Sequence, residues 1–412
     1  TDDAYLVKGS QFEASFSKQQ GTISSYTLNE VPMISKGLEL NAFRAPTDND
    51  KQVDGDWYQK GLYQMTLEPG HWNVRKEDNK VTLQIENLYR GKTGFDYRTN
   101  IEYTVAADGS ILVNSTIIPS TKGVIIPRIG YRMELPEGFE RMRWYGRGPL
   151  ENYVDRKDAT YVGVYDELVS DQWVNYVRAQ EMGNREDLRW ISITNPDGIG
   201  FVFIAGDKMS ASALHATAQD MVDPANHRRL LHKYEVPMRK ETVLCLDANQ
   251  RPLGNASCGP GPMQKYELRS QPTVFSFIIL PLERSYSTEE LIKKARVQMP
   301  VCMPVLIERD NNGYLNLKTN TPGATVHYSL NGGEEKIYTE PFEFISGGHV
   351  EAYAVSEQLG KSAGTSAEFP IYVDRSLWKI VSVSSENEGE EARNAIAGIV
   401  GGMILWLNIP TK

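Results

Sequence analysis

Carboxylates are the side chains in this sequence whose types and spacing best suit acid/base or nucleophilic catalysis. Two carboxylates about 5 Å apart can act as acid/base and nucleophile in a hydrolase. Six carboxylates stand in short polar motifs and qualify by type: Asp48, Asp50, Glu151, Asp155, Glu181 and Asp187. Their separations along the chain fix no pair in space, so the sequence nominates no catalytic pair.

The stretch 141–158 carries a dense set of polar and aromatic side chains. Trp144 and Tyr145 precede a Gly-Arg-Gly-Pro run, and Glu151 and Arg156 follow it. Because glycine permits positive φ and proline lacks an N–H, the run predicts an ordered loop and neither helix nor strand. Such loops often carry binding groups. Composition alone favours a structural loop whose charges pair with one another.

The composition indicates a soluble globular protein. Of the 412 residues, 40% are hydrophobic and 24% are charged, and the length predicts two or three domains. No apolar run reaches the ~18 residues that a membrane span needs. The net charge of −9 argues against a nucleic-acid partner, because phosphates require a basic surface.

Cysteine and histidine spacing predicts no metal site and no cofactor in this chain. Cys245, Cys258 and Cys302 form no Cys-x-x-Cys pair, and no His-x-x-x-His spacing occurs. The start, residues 1–4, is acidic and lacks the apolar segment of a signal peptide, which is uninformative if the chain is part of a longer protein.

Alternating apolar and polar residues predict strands along most of residues 5–286. Asp108-Gly109, between two alternating runs of 72–119, indicates a hairpin, and a second hairpin is predicted at 188–206 around 195–198. Further strands are predicted at 128–135, 161–165, 241–247 and 273–282. Helical periodicity is scarce, with a short helix at 57–65 and a mixed turn and helix at 217–232. The sequence therefore predicts an all-β fold, a large antiparallel two-layer β-sandwich over 1–286.

The remaining residues divide into a connection and smaller modules. Residues 287–296 predict a helix, with Ser287 as N-cap and Glu290 completing a capping box. Prolines punctuate the rest of 287–304, which is assigned as helix and linker. Strand patterns return over 305–372 and predict a small β-sandwich.

Five motifs, in order, resemble the C-terminal (small-chain) domain of lac-type β-galactosidases in glycoside hydrolase family 2. They are Phe43–Asp50, Trp144–Arg156, Gln180–Trp190, Ser212–Leu231 and Leu246–Pro260. Together they cover about residues 5–285. The resemblance implies one large sandwich of the supersandwich type, like that of galactose mutarotases.

The end of the chain resembles two other modules. Residues 305–372, with Gly323–Gly333 and Tyr338–Phe342, resemble the immunoglobulin-like domain at the C-terminus of chitobiases. Residues 373–412 open like a discoidin-like carbohydrate-binding domain, with Asp374, Arg375 and Trp378. They are too few to complete that domain, and the apolar tail departs from it, so we expect this end to be disordered, paired onto a neighbour or prone to aggregate.

The resemblance places both catalytic glutamates in a separate (β/α)₈ barrel, which has no counterpart here. We expect this chain alone to be inactive, and any Mg or Na requirement to lie with the missing barrel. In the family, a loop of this region forms one wall of the sugar site and contributes a tryptophan to it. The matching loop is 254–259, with Asn255, Ser257 and Cys258, and Cys258 takes the tryptophan position. The alternative is that Cys258 is a small buried hydrophobe.

Other motif residues have two interpretations. Arg147, Glu151 and Arg156 could line a saccharide groove with Trp144 or Tyr145 as stacking surface, although a buried network supporting the loop is favoured.

Asp48 and Asp50, beside Arg44, could bind a cation through carboxylate oxygens, but ion-paired turn residues are the favoured interpretation. Glu181, Arg185 and Asp187 indicate an ion-pair network, and His215 a satisfied core histidine. His227 and His232 are five residues apart, with no third metal ligand evident.

The sequence thus predicts part of a β-galactosidase-type enzyme that completes the active-site wall for β-galactosides. The expected partners are carbohydrate, the missing barrel and a possible second copy of the chain, in a periplasmic, secreted or cell-surface setting. The alternatives are a non-catalytic carbohydrate-binding module and a structural spacer of a surface glycan-degrading enzyme.

Overall fold

The computed structural model of the protein describes residues 1–298, 302–310, 312–362 and 364–373. Strands dominate these residues, and the fold is all-β, as the alternating pattern predicts. No helix in these ranges is both long enough and apolar enough to cross a membrane.

The first four strands form an antiparallel sheet of their own. They are β1 (Ala4–Lys8), β2 (Phe12–Ser17), β3 (Thr22–Leu28) and β4 (Val31–Pro32). Phe12, Ala14 and Phe16 alternate along β2 and are buried, while the residues between them are half-buried. This period of two gives the sheet one apolar face.

A twelve-stranded antiparallel sheet makes up the rest of the large sandwich. Its first six strands are β5 (Lys36–Asn41), β6 (Thr66–Glu77), β7 (Lys80–Arg90), β8 (Asp96–Ala106), β9 (Ile111–Pro119) and β10 (Arg128–Leu135). The others are β11 (Arg141–Gly148), β12 (Tyr161–Leu168), β13 (Arg185–Thr194), β14 (Ile199–Leu214), β15 (Thr242–Gln250) and β16 (Thr273–Glu283).

This large sheet branches at its longest strand, β14. The main path runs β12-β11-β13-β14-β16-β9-β8-β7-β6, and β15 leads from β14 to β10 and β5. The first half of β14 pairs with β16 and the second half pairs with β15. The change of partner from β16 to β15 therefore takes place near residues 206–209.

Aromatic side chains pack the two sheets against each other. The rings of Phe16 and Tyr103 lie 5.2 Å apart, as do those of Tyr26 and Phe201. The Tyr26 hydroxyl donates to the Gly109 carbonyl (2.8 Å), in the predicted hairpin turn. One continuous core between the sheets makes this the predicted large sandwich.

Strand β11 corrects the prediction that 141–158 is a loop throughout. Residues 141–148 pair with β12, and residues 141–145 pair with β13 as well. The glycines here permit close packing instead of a turn. A Cβ on Gly146 would lie 2.4 Å from Leu188, and one on Gly148 would lie 2.7 Å from Tyr165. Only the residues after β11 form the predicted loop.

Two helices accompany the sheets. The predicted helix at 57–65 lies earlier, at α1 (Asp54–Gln59), and α2 spans Thr288–Gln298. The predicted capping box of α2 is confirmed, since the Ser287 N–H donates to Glu290 (2.7 Å) and the Glu290 N–H donates back (3.2 Å). Leu291 of α2 is buried on the outer face of the large sheet.

No helix forms within the predicted 217–232 segment. Pro224 lacks an N–H, and the Asp223 carboxylate accepts from the Ala225 N–H (2.9 Å), so this stretch forms turns. A single 3₁₀ turn follows at Lys233–Glu235.

Eight short strands build a second, smaller core. They are β17 (Leu306–Arg309), β18 (Tyr314–Lys318), β19 (Thr325–Leu330), β20 (Lys336–Tyr338), β21 (Phe342–Glu343), β22 (Gly348–Ser356), β23 (Gly360–Lys361) and β24 (Thr365–Phe369). They form a three-stranded and a five-stranded sheet around Leu315, Val350 and Ala354. All but the first residue of the predicted discoidin-like start, 373–412, lies outside the described residues.

Candidate functional site

Four polar segments that are far apart in sequence meet in one place, which we call the loop cluster: 43–50, 147–156, 181–187 and 250–259. The Glu181 N–H donates to the Ala45 carbonyl (3.0 Å) and the Asn152 N–H donates to the Asn184 carbonyl (2.9 Å). These bonds join the first three segments. Segments from three of the five motifs singled out in the sequence therefore meet in one place.

Two side chains from this cluster hold the fourth segment. The Asp155 carboxylate accepts from the N–H groups of Leu253 (3.0 Å) and Gly254 (2.8 Å). The Asn49 amide donates to the Gly254 carbonyl and accepts from the Ser257 N–H, both at 2.9 Å. The loop 254–259 is thus fixed at its base by groups from two other segments.

The predicted wall residues Asn255, Ser257 and Cys258 are all solvent-exposed on this loop. The loop closes on itself, since the Gly259 N–H donates to the Asn255 carbonyl (2.7 Å). Gly254 enters the loop with φ of +63°, a conformation that glycine adopts readily. The interpretation of Cys258 as a buried hydrophobe is wrong, because the thiol lies on the outside of the turn.

A buried ion cluster lies under the loop base. Asp50 pairs with Arg44 (2.8 Å) and with Arg251 (2.6 Å), and Arg251 also pairs with Glu267 (2.7 Å). Burial raises the pKa of Asp50, but Arg44, a Thr47 N–H and Arg251 outweigh it and hold the pKa below its usual value. Arg44 also donates to the Arg251 carbonyl (2.5 Å), so the cluster positions the chain that enters the loop.

A second buried cluster is unbalanced in charge. The Arg128 guanidinium pairs with Asp247 (2.5 Å) and with Glu181 (3.4 Å), and all three side chains are almost fully buried. One cation facing two carboxylates leaves an excess negative charge away from water. Burial therefore raises the pKa of Asp247 to about 7, although Arg128 opposes the shift.

This raised pKa predicts a pH-dependent stability. A carboxyl whose pKa is higher in the folded state stabilises the fold fully below its ordinary pKa of 3.8, and that contribution is lost as pH rises through about 7. We expect wild type to lose stability relative to Asp247→Asn between pH 4 and 7, by up to about 1.4 kcal/mol per pH unit. Urea unfolding at several pH values measures this difference.

The matched control for that series is Asp166→Asn, because Asp166 forms an ion pair with Arg141 on the surface. Its stability difference from wild type should vary little over the same pH range. If the difference in unfolding free energy between wild type and Asp247→Asn stays constant across this pH range, the result contradicts a raised pKa of Asp247.

Trp144 is fully buried, so the prediction that it stacks on a sugar is wrong. Its indole N–H donates to the Arg147 carbonyl (2.9 Å), and the Arg185 guanidinium lies 4.9 Å from the ring centroid. Alternation along β11 turns this ring into the core. Tyr145, on the opposite face, is half-buried, with Arg189 5.4 Å from its ring centroid.

Arg147 and Glu151 belong to the network that supports the loop, as the favoured interpretation has it. Arg147 pairs with Asp187 (2.5 Å), which Lys157 also contacts (3.1 Å). The Glu151 carboxylate accepts from the Gly183 N–H (2.8 Å) and from the Tyr176 hydroxyl. These side chains are partly exposed but already paired.

The remaining candidates are also accounted for by local partners. The His215 ring bonds to Glu140 (2.8 Å) and to the Glu241 carbonyl (3.0 Å), as expected for a satisfied histidine. Asp48 pairs with Lys51 (2.9 Å) on the surface. His227 is exposed and its ring lies 4.3 Å from that of Tyr63. Across the described ranges, no three His, Cys, Asp or Glu side chains group closely enough to hold a metal ion.

Sequence reasoning missed the residues that hold the site together. Arg128 begins a strand whose core-facing positions start at Ile129, so the alternation places Arg128 on the other face and gave no sign that it is buried. Asn49 and Asp155 stood inside quoted motifs, but nothing in their types indicates that they anchor a loop 100 to 200 residues away. What the site offers chemically is an exposed loop whose base is held by hydrogen bonds from two other segments.

Comparison with known proteins gives a family match over most of the chain. The family model described as "Beta galactosidase small chain" matches residues 8–279. A β-galactosidase of Priestia megaterium is 29% identical over 258 residues, which cover 61% of this chain and 24% of that protein. β-Galactosidase BgaC of Bifidobacterium adolescentis is 31% identical over 269 residues, 64% of this chain and 25% of that protein. The chain spans about a quarter of the length of the curated relatives it matches.

Solved structures show a weaker likeness. A galactose mutarotase related enzyme from Lactobacillus acidophilus has a TM-score of 0.39 at 7% identity, over 68% of this chain and 98% of that one. The α-N-acetylgalactosaminidase NagBb from Bifidobacterium bifidum has a TM-score of 0.37 at 10% identity, over 71% of this chain and 38% of that one.

Proposed function

The chain belongs to the β-galactosidase small-chain family, and from this we propose that it is the C-terminal region of a family 2 glycoside hydrolase acting on terminal β-galactosides. In this proposal the catalytic glutamates lie in a (β/α)₈ barrel outside this chain. The region described here docks against that barrel and supplies part of the wall of the sugar site. The chain alone does not cleave a glycosidic bond.

The observation that carries the proposal is the build of loop 254–259. Its base is held by Asn49 and Asp155, while Asn255, Ser257 and Cys258 point to solvent. A loop that is rigid at its base and exposed at its tip can present side chains at a defined place on a partner domain. In the complete enzyme these three side chains contact the galactoside.

Cys258 sets the width of that wall. By resemblance, the family places a tryptophan here, whose indole covers the apolar face of a sugar. A thiol offers no such flat surface, so we propose that this enzyme has a wider subsite that accepts larger galactosides.

Restoring the indole tests the wall directly. In the barrel-containing enzyme, Cys258→Trp is expected to lower KM for a small nitrophenyl β-galactoside by about 3- to 10-fold, which corresponds to roughly 1 kcal/mol of aromatic contact. The rate constant kcat should change less. Michaelis–Menten kinetics with wild type and variant measures both constants.

The matched control is Met263→Trp, which places an indole at an exposed position four residues beyond loop 254–259. It should leave KM unchanged. If Cys258→Trp and the control behave alike, loop 254–259 does not reach the substrate. Turnover of the nitrophenyl galactoside by the purified 412-residue chain would contradict the assignment of catalysis to the barrel.

Several further features belong to the same proposal. Residues 305–372 are an immunoglobulin-like accessory domain and 373–412 are the start of a discoidin-like module, which together favour a periplasmic, secreted or cell-surface enzyme that binds carbohydrate. The enzyme assembles with its other domains and as a homo-oligomer. Any magnesium or sodium requirement arises in the barrel.

A further inference from the structure

A cavity of about 340 Å³ lies where β14 changes partner from β16 to β15. Residues 207–210, 248–250 and 274–276 line it from these three strands, and Met303 and Asn320 close it from the side of the small sandwich. None of the residues 254–259 lines it. The cavity is therefore separate from the exposed loop of the proposed galactoside wall.

The Gln250 side chain is the unusual feature of this cavity. It is only 5% exposed, and neither its amide nitrogen nor its amide oxygen has a hydrogen-bond partner. An amide that is buried without partners destabilises a fold, so such groups in native proteins usually bond to something bound. Either ordered water or a bound molecule in the cavity that the amide lines can supply these partners.

The charged groups around the cavity argue against an anionic occupant. Lys157 lies within 3.3 Å of Glu186 and 3.1 Å of Asp187, so its ammonium is already neutralised. Asp207 adds a third carboxylate to the lining, and Lys208 adds a second ammonium group. The lining thus carries three carboxylates and two ammonium groups, and Arg147 pairs with Asp187 from outside the lining. These charges balance, so no excess of positive charge favours an anion.

The backbone beside the cavity is strained. Asp187 has a φ of +57°, and the pairing of β13 with β14 shifts register between Arg185 and Leu188. Bulges with a non-glycine residue at positive φ are often found beside binding sites, where they direct side chains. The bulge places Glu186 and Asp187 at the cavity.

The cavity also has an apolar side, formed by Met209, Phe275 and Met303. A site with an apolar wall and a few convergent polar groups suits a small molecule that has both hydroxyl groups and C–H surface. A metal ion fits poorly, because the residues that the structure describes contain no group of three suitable ligands.

We propose that this cavity binds a monosaccharide, with the Gln250 amide donating to one hydroxyl and accepting from another. Carboxylates of Glu186 and Asp207 accept further hydroxyl hydrogens, and the C–H face of the ring packs on the apolar wall. This second sugar site is distinct from the proposed galactoside site beside loop 254–259.

The test is titration of the purified 412-residue chain with D-galactose and D-glucose, followed by calorimetry or ligand-observed NMR. We expect saturable binding of at least one of these sugars by wild type. Gln250→Met keeps the side-chain volume but removes both polar atoms. It should weaken binding at least tenfold while the thermal midpoint stays equal or rises, because an unpaired amide is lost.

The matched control is Gln20→Met, at an exposed turn far from the cavity in sequence, which should bind like wild type. If Gln250→Met fails to fold, Asp207→Asn on the exposed rim takes its place and should weaken binding several-fold. Wild type that binds neither sugar, or binding that survives in both variants, overturns the proposal. Cys258→Trp should leave this binding unchanged, so the outcome is independent of the proposed galactoside wall.

Discussion

Replacing Asp50 by alanine is expected to destabilise the protein by about 3–5 kcal/mol. Asp50 and Arg44 have no exposed side-chain surface, and Arg251 is 3% exposed. The carboxylate is the group that pairs with both guanidinium groups. Without it two cations remain in the interior, with Glu267 as the one carboxylate still paired to Arg251. The loss of a buried counter-charge costs far more than the loss of a surface ion pair.

Two residues away, Asp48 provides a control within the same motif. It pairs with Lys51 on the surface, where both side chains are about two-thirds exposed. Asp48→Ala should therefore cost less than about 1 kcal/mol. Urea unfolding followed by tryptophan fluorescence measures both variants. Equal losses in the two variants would show that the buried cluster does not hold the fold.

Replacing Trp144 by alanine should cost about 3–5 kcal/mol, as removal of a large buried aromatic side chain does. The indole is fully buried on β11, stacks on Tyr165 with ring centroids 5.2 Å apart and contacts Arg185. Alanine leaves a cavity that the neighbouring strands cannot fill. The thermal midpoint and the unfolding free energy report the loss.

Tyr161→Ala is the matched control, because Tyr161 lies on the adjacent strand and is 74% exposed. Its effect should stay within about 0.5 kcal/mol. Trp144→Phe should retain much of the stability and all of the sugar binding. If a folded Trp144 variant lost affinity for galactose without losing stability, the result would support the interpretation of the indole as a binding surface.

The strands of the large sandwich could be predicted because their pattern is local. Alternation across 72–119 follows from one face packing on the core, and the Asp108-Gly109 turn follows from the positive φ that glycine accepts. The capping box of α2 was equally readable, since both partners lie within four residues. In each case the residues that determine the structure are close neighbours in sequence.

Strand β11 could not be predicted, because a glycine in a sequence can indicate either a turn or close packing between strands. Gly146 and Gly148 look like turn formers in the sequence, but their lack of a Cβ admits Leu188 and Tyr165 from neighbouring strands. Those neighbours come from later in the chain. The burial of Trp144 was hidden for the same reason.

The exposure of loop 254–259 fits its selection from the sequence as a candidate wall, although Cys258 was equally open to a buried interpretation. The contacts that build the candidate site could not be predicted. The contacts that fix the loop join residues up to about 200 positions apart, such as Asn49 with Gly254 and Asp50 with Arg251. Residue types at such distances indicate charge and hydrogen-bonding capacity, but not partners.

The position of β16 has a consequence for how the protein is made. This strand lies between β14 and β9, yet its residues 273–283 leave the ribosome after every other strand of the large sheet. Until then β14 and β9 each keep an open edge, and Glu267 has only just joined the ion cluster beneath the loop. A nascent chain stopped before residue 273 would thus present two unpaired edges, from which sheet proteins aggregate. The centre of the large sheet is therefore completed last, and the edges of β9 and β14 stay open until residues 273–283 have been made.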